Sequence, residues 1–79
     1  HEDAVVIDIR DSASFSKGHI ISAINIPQAE LEAALKRVEK YKEKTVVLVY
    51  NMGQPHHKAI NVLRKVGFTK LYHLKGGIT

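Results

Sequence analysis

Thr45-Val46-Val47-Leu48-Val49-Tyr50-Asn51-Met52-Gly53-Gln54-Pro55-His56-His57-Lys58-Ala59-Ile60-Asn61-Val62-Leu63-Arg64-Lys65-Val66 is the stretch whose reading decides the fold of this 79-residue chain. Its first six residues form a nearly unbroken apolar run, rich in β-branched side chains and too short for a core helix. Such a run reads as a strand buried on both faces of a sheet. A short polar loop containing Gly53 follows, and Pro55 suits the first position of a helix. Ala59, Ile60, Leu63 and Val66 then fall on one stripe at helical spacing. A strand, tight loop and helix N-terminus in succession form the unit at which open α/β folds bind ligands. The loop amides and the helix dipole both favour an anion there.

Working outward, Ala4–Ile9 reads as a second buried strand by the same criteria. Asp8 and Arg10 share a face of it. A partly buried carboxylate needs a partner, and Arg10 or loop amides supply one, so a structural ion pair is the expectation ahead of catalysis. Asp11–Phe15 makes a short helical turn capped by Asp11 or Ser12. Gly18 allows a turn, and His19, flanked by glycine and isoleucine, is expected to be a buried, hydrogen-bonding histidine. A short strand over Ile24–Ile26 stops at Pro27. Gln28 to Lys40 reads as one helix with Leu31, Ala34, Leu35 and Val38 on its apolar stripe. Gly67 and Phe68 end the helix after the central strand, glycine in the left-handed position and phenylalanine as the accompanying apolar contact. Leu71–Leu74 is a last strand, and Lys75-Gly76-Gly77 a turn. Strands alternating with helices predict an α/β fold, a parallel sheet of four strands flanked by helices.

Composition bounds the function. The length allows one domain with a small core. There is no cysteine, which removes disulfides, thiolate metal sites and thiol catalysis together. The net charge of +4 is unevenly spread: residues 1–43 hold six Lys/Arg and all eight Asp/Glu, whereas residues 44–79 hold six Lys/Arg and no acid. That basic half predicts a small anion or an acidic protein segment as partner. No aromatic-interleaved basic motif accompanies it, so nucleic acid is not expected. No run is long enough to cross a bilayer and no signal peptide is visible. Because the sequence opens at His1 and not at Met, a fragment of a longer protein is expected. A cytoplasmic location is the first reading, with an upstream membrane anchor as the alternative.

Three groups of residues resemble a known family. Asp8-Ile9-Arg10, Gly18-His19-Ile20 and Ala23-Ile24-Asn25-Ile26-Pro27 are similar to the first half of the rhodanese-like (sulfurtransferase) domain, with Asp8, Arg10, Gly18 and His19 as its structural motif. Gly67-Phe68, Leu71, Leu74 and Gly76-Gly77-Ile78 resemble its ending. The resemblance implies a rhodanese-like parallel sheet of four to five strands flanked by helices. It also implies that residues 1–79 form a single such domain, truncated at both ends, lacking the family's first strand and helix and the tail after Gly77.

In active members of that family the central strand ends in a cysteine that carries a persulfide, and the loop amides face the transferred sulfur or anionic donor. Asn51 stands at that position, and Gln54, His56 and His57 replace the loop's other characteristic side chains. Pro55 removes one amide from the cradle. Persulfide transfer needs a thiolate, which an amide side chain does not replace, so no residue is assigned as catalytic. The simultaneous loss of neighbouring residues marks a degenerate loop and not a single Cys→Asn exchange.

The expected function is therefore a non-catalytic anion- or protein-binding, regulatory module without cofactor, its candidate contacts being Asn51, Met52, Gly53, Gln54, His56, His57 and Lys58. If His56 and His57 bind the anion as cations, affinity falls as pH rises through the ordinary histidine range. The plain alternative is a pair of exposed first-turn residues. A second reading is a sulfurtransferase whose cysteine lies elsewhere or was replaced, and a third a domain that only docks its neighbours. A metal site from His56, His57, His73 and His19 is not expected, because adjacent helical residues diverge by about 100°. A phosphoacceptor reading of Asp8 and Asp11 lacks the third acid and the lysine pattern it needs.

Overall fold

A computed structural model of the chain describes residues 4–75. The expected turn through Gly76 and Gly77 and the tail beyond lie outside the described residues. Four strands, β1 (Val5–Asp8), β2 (Ile24–Asn25), β3 (Val46–Tyr50) and β4 (Leu71–Lys75), form one parallel sheet in the order β2-β1-β3-β4. Three helices connect them: α1 (Ser12–Lys17), α2 (Leu31–Val38) and α3 (His56–Lys65). Fold class and strand positions agree with the sequence reading.

One face of the sheet is the core. Register sets Ile7 beside Ile24 on one side and Leu48 on the other, and Val46 beside Leu71. With a period of two, Val5, Ile7, Ile9, Val46 and Leu48 share that face. They pack with Leu31, Ala34 and Val38 of α2 and Ala59, Ile60 and Leu63 of α3. The opposite face is less covered: Asp8 and Val49 are buried, but Tyr72 and Leu74 of the edge strand β4 are 61% and 48% exposed.

Helix α3 stops at a Schellman turn. Gly67 takes φ 110° and donates to Arg64 O at 3.1 Å, while Phe68 N–H reaches Leu63 O at 3.1 Å. This places the Phe68 ring in the core at 1% exposure, as expected of the residue after the glycine.

Four local expectations are corrected. His19 is exposed, not buried: it stacks on Phe15 at 3.7 Å, and its Nδ1 lies 2.7 Å from Phe15 O. α1 itself has no buried residue, and the His19 ring lies exposed against it. Pro55 precedes α3 and is not its first residue. Its φ −77° and ψ 65° are those of an inverse γ-turn, closed by His56 N–H donating to Gln54 O at 2.7 Å. The segment 28–40 is an α-helix bracketed by 3-10 turns at Gln28–Glu30 and Glu39–Tyr41. β2 is only two residues long, since it borders β1 alone and Pro27 follows its last apolar residue.

Phe68 fills the junction of α3 with the sheet, so Phe68→Ala is expected to lower the unfolding free energy by about 3–5 kcal/mol. A domain of this size holds roughly 4–12 kcal/mol in total. Urea denaturation of the two proteins measures the difference.

Candidate functional site

In a parallel sheet all C-terminal strand ends meet at one edge, so the residues that follow β1, β2 and β3 converge there. Behind that edge stands a clamp. Arg10 Nε contacts both Asp8 carboxylate oxygens at 3.0 and 3.1 Å, and Nη2 reaches Asp8 Oδ2 at 2.8 Å and Gly18 O at 2.7 Å. Arg10 N–H also donates to Asp8 Oδ1 at 3.0 Å. Hydrogen bonding to Asp8 pushes the Arg10 pKa up, so the guanidinium is held charged although its side chain is 5% exposed. Asn25 Nδ2 donates to Asp8 O and Arg10 O, both at 3.0 Å. Asp8 and Arg10 thus join β1, β2 and the end of α1 as structure.

Asp11 caps α1 by accepting Ser14 N–H at 2.8 Å. That bond, then the Ser14 hydroxyl, lowers the Asp11 pKa. The same residue lines a cavity of about 450 Å³ at the strand ends with Ile9, Pro27, Asn51 and Met52.

The loop after β3 is closed from within by Gln54. Asn51 to Gln54 is a turn, with Gln54 N–H donating to Asn51 O at 3.0 Å and Gly53 at φ 83°, the value the third position of a type II turn requires. The Gln54 side chain folds back beneath it. Its Oε1 accepts Asn51 N–H at 3.0 Å, and its Nε2 donates to Ile9 O at 2.8 Å and Gln28 Oε1 at 2.9 Å. Gln28 Nε2 in turn donates to Pro55 O at 2.8 Å. Asn51 Nδ2 reaches Ser14 Oγ at 3.3 Å. The amides of Asn51, Gln54, His56 and Lys58 are therefore engaged within the chain, the last with Pro55 O at 3.2 Å.

The predicted site residues separate into three places. Asn51, Met52, Gly53 and Gln54 form the closed loop. His56 and His57 turn toward β4: the His56 ring stacks on Tyr50 at 3.7 Å, with His57 at 4.3 Å and His73 at 5.0 Å. His56 Nε2 is buried there without a partner among the described residues. No three His, Asp or Glu side chains of the described residues are arranged to hold a metal ion. Lys58 lies on the other side of α3, lining a groove of about 750 Å³ between α2 and α3. Sequence reasoning missed Ser14, Gln28 and Tyr50 as participants. Gln28 had one legible signal, a polar residue just after the Pro27 that ends the strand, at the edge where the strand ends converge.

A family model described as Rhodanese-like domain matches residues 1–79. This chain belongs to the rhodanese-like domain family. Among rhodanese-like structures, the Rhodanese_3 like domain of the Anabaena sp. Alr3790 protein superimposes with a TM-score of 0.72 at 28% identity, covering 94% of this chain and 84% of that one. A longer Alr3790 structure gives 0.77 at 26% identity, covering 99% and 69%. The Escherichia coli K12 protein named Uncharacterized protein YibN is 40% identical over 78 residues, 98% of this domain and 54% of that protein. The tRNA uridine(34) hydroxylase of Cronobacter sakazakii is 36% identical over 80 residues, 96% of this domain and 23% of that protein. The rhodanese-like chain thus spans about half of YibN and about a quarter of the hydroxylase.

Two outcomes follow from the site. Gln54→Ala takes the acceptor from Asn51 N–H and the donor from Gln28 Oε1, while Ile9 O keeps the bond from Gln28 N–H; the expected loss is about 1–3 kcal/mol, with faster hydrogen exchange at the Asn51 amide. Second, the lowered Asp11 pKa means that its cap contributes above the ordinary aspartate range and is lost as pH falls through the depressed value. The Ser14 amide resonance is expected to report α1 fraying in acid. Asp11→Asn, which also caps but does not titrate, removes that pH dependence.

Proposed function

We propose that this chain is a non-catalytic rhodanese-like module that binds an acidic segment of a protein partner. The observation that carries the reading is the Gln54 carboxamide lodged against the Asn51 amide. Its Oε1 accepts the Asn51 N–H, one of the loop amides that the family resemblance turns toward the sulfur or anionic donor. β3 leads into Asn51, and with no cysteine in the 79 residues no persulfide forms on this chain. Asp11, held as a carboxylate, lines the adjoining cavity and disfavours a small anion there. Positive charge remains available elsewhere, because residues 44–79 hold six Lys/Arg and no acid.

The second reading, sulfur transfer by a longer protein through a cysteine outside these residues, is favoured by one observation: the chain spans 54% of YibN. The two separate in one assay. The purified chain is expected to give no thiocyanate from thiosulfate and cyanide. It is also expected to bind poly-L-glutamate with an affinity that falls steeply between about 0.05 and 0.5 M salt. Thiocyanate production by the chain itself, or no binding at low salt, overturns the proposal.

A further inference from the structure

The groove between α2 and α3 has the chemistry to receive such a segment. Its floor is apolar, with Leu31 and Ala59 buried beneath and Val62 half-buried along the wall. Gln28, Gln54 and Pro55 close one end, pinned to one another by the Gln28–Pro55 and Gln28–Gln54 hydrogen bonds. Its volume of about 750 Å³ holds several side chains.

Charge selects the occupant. Lys58 and Lys65 line the α3 wall seven residues apart, hence on one stripe and about 10.5 Å apart along the axis. Val62 lies between them. Both lysines are exposed, and neither ammonium has a hydrogen-bond or ion-pair partner among the described residues. No acid in residues 44–79 is there to neutralise them. Glu32, on the α2 wall, is the acid that lines the groove.

We infer that the α2–α3 groove docks a short acidic helix of a partner protein, its two carboxylates spaced two turns apart to meet Lys58 and Lys65 and an apolar side chain between them seated over Val62 and Leu31. This inference rests on the acidic-segment reading and names its location. An amphipathic helix with acids at i and i+7 and leucines at i+3 and i+4 presents that pattern on one face. Glu32 opposes it by like charge, so the surface is signed: removing a lysine weakens binding and removing Glu32 strengthens it.

The test is an amide NMR titration of the purified protein with the capped peptide Glu-Ala-Ala-Leu-Leu-Ala-Ala-Glu, beside peptides with Gln for Glu or Ala for Leu. The expected result is saturable shifts at Leu31, Glu32, Ala59, Asn61 and Val62. The double variant Lys58→Ala/Lys65→Ala, at exposed positions, is expected to weaken binding roughly three- to ten-fold, and Glu32→Gln to tighten it about two-fold. Either control peptide binding as well as the parent overturns the groove. So does binding whose shifts map to Met52–Gly53 or β4, which leaves the acidic-segment reading standing. Shifts at the groove that depend on protein concentration without peptide reassign it to self-association. Absence of binding by the peptide while poly-L-glutamate binds overturns the groove alone, and absence of binding by both overturns the groove and the broader reading together.

Discussion

Burial of one face of a four-stranded parallel sheet against two helices is the constraint on which the molecule depends. Ile7, Val46 and Leu48 have 0% exposure, and α2 and α3 each set three buried side chains against that face. In so short a chain little other apolar surface is removed from water. The consequence reaches the functional edge directly. Once β1 and β3 lie side by side in register from Val5–Val46 to Asp8–Val49, the segments that leave them emerge together. What those segments contain decides the chemistry, and the core decides only that they meet.

At that edge the chain satisfies itself. A strand-to-helix loop in a parallel sheet presents backbone N–H groups that a ligand ordinarily occupies. Here Gln54 supplies an acceptor to Asn51 and returns two donors to Ile9 and Gln28. One side chain thereby links the exits of β1 and β3 to the start of the α2 segment. The Asp8–Arg10 pair does comparable work behind it, tying β1 to Gly18. Buried charge and buried amide groups are both paired, as a low-dielectric interior demands. Lys58 and Lys65 of α3, by contrast, have no counter-ion among the described residues.

Much of this was legible beforehand, for reasons that are local. The β-branched run Val46–Tyr50, the stripe Ala59-Ile60-Leu63 and the Gly67-Phe68 stop each encode their structure within a few residues. The Asp8–Arg10 pairing was readable because the two sit two apart on one strand face. Where the reading went astray, the deciding neighbour was remote or the turn was unusual. The flanking isoleucine and glycine predict a buried His19, yet the ring lies exposed on Phe15. Proline at position 55 predicts a first helical residue, but the tight turn around it sets ψ to 65° and delays the helix by one residue. The divergence of adjacent helical residues separates His56 from His57, but Tyr50 and His73, from two different strands, draw their rings into one patch.

Composition and short-range pattern were enough for an α/β domain of parallel strands, for the absence of a thiol, for Asn51 after the central strand, and for a second half with cationic charge and no acids. Those are properties of composition and short-range periodicity. Tertiary contacts set the inward turn of Gln54, its bond to the Asn51 amide, and the groove that Lys58 and Lys65 rim opposite Glu32. Gln54 finds Ile9 across 45 residues and Gln28 across 26. Such partners are chosen by strand order and helix placement, which bring distant polar groups within 3 Å, and no local pattern of side chains specifies them.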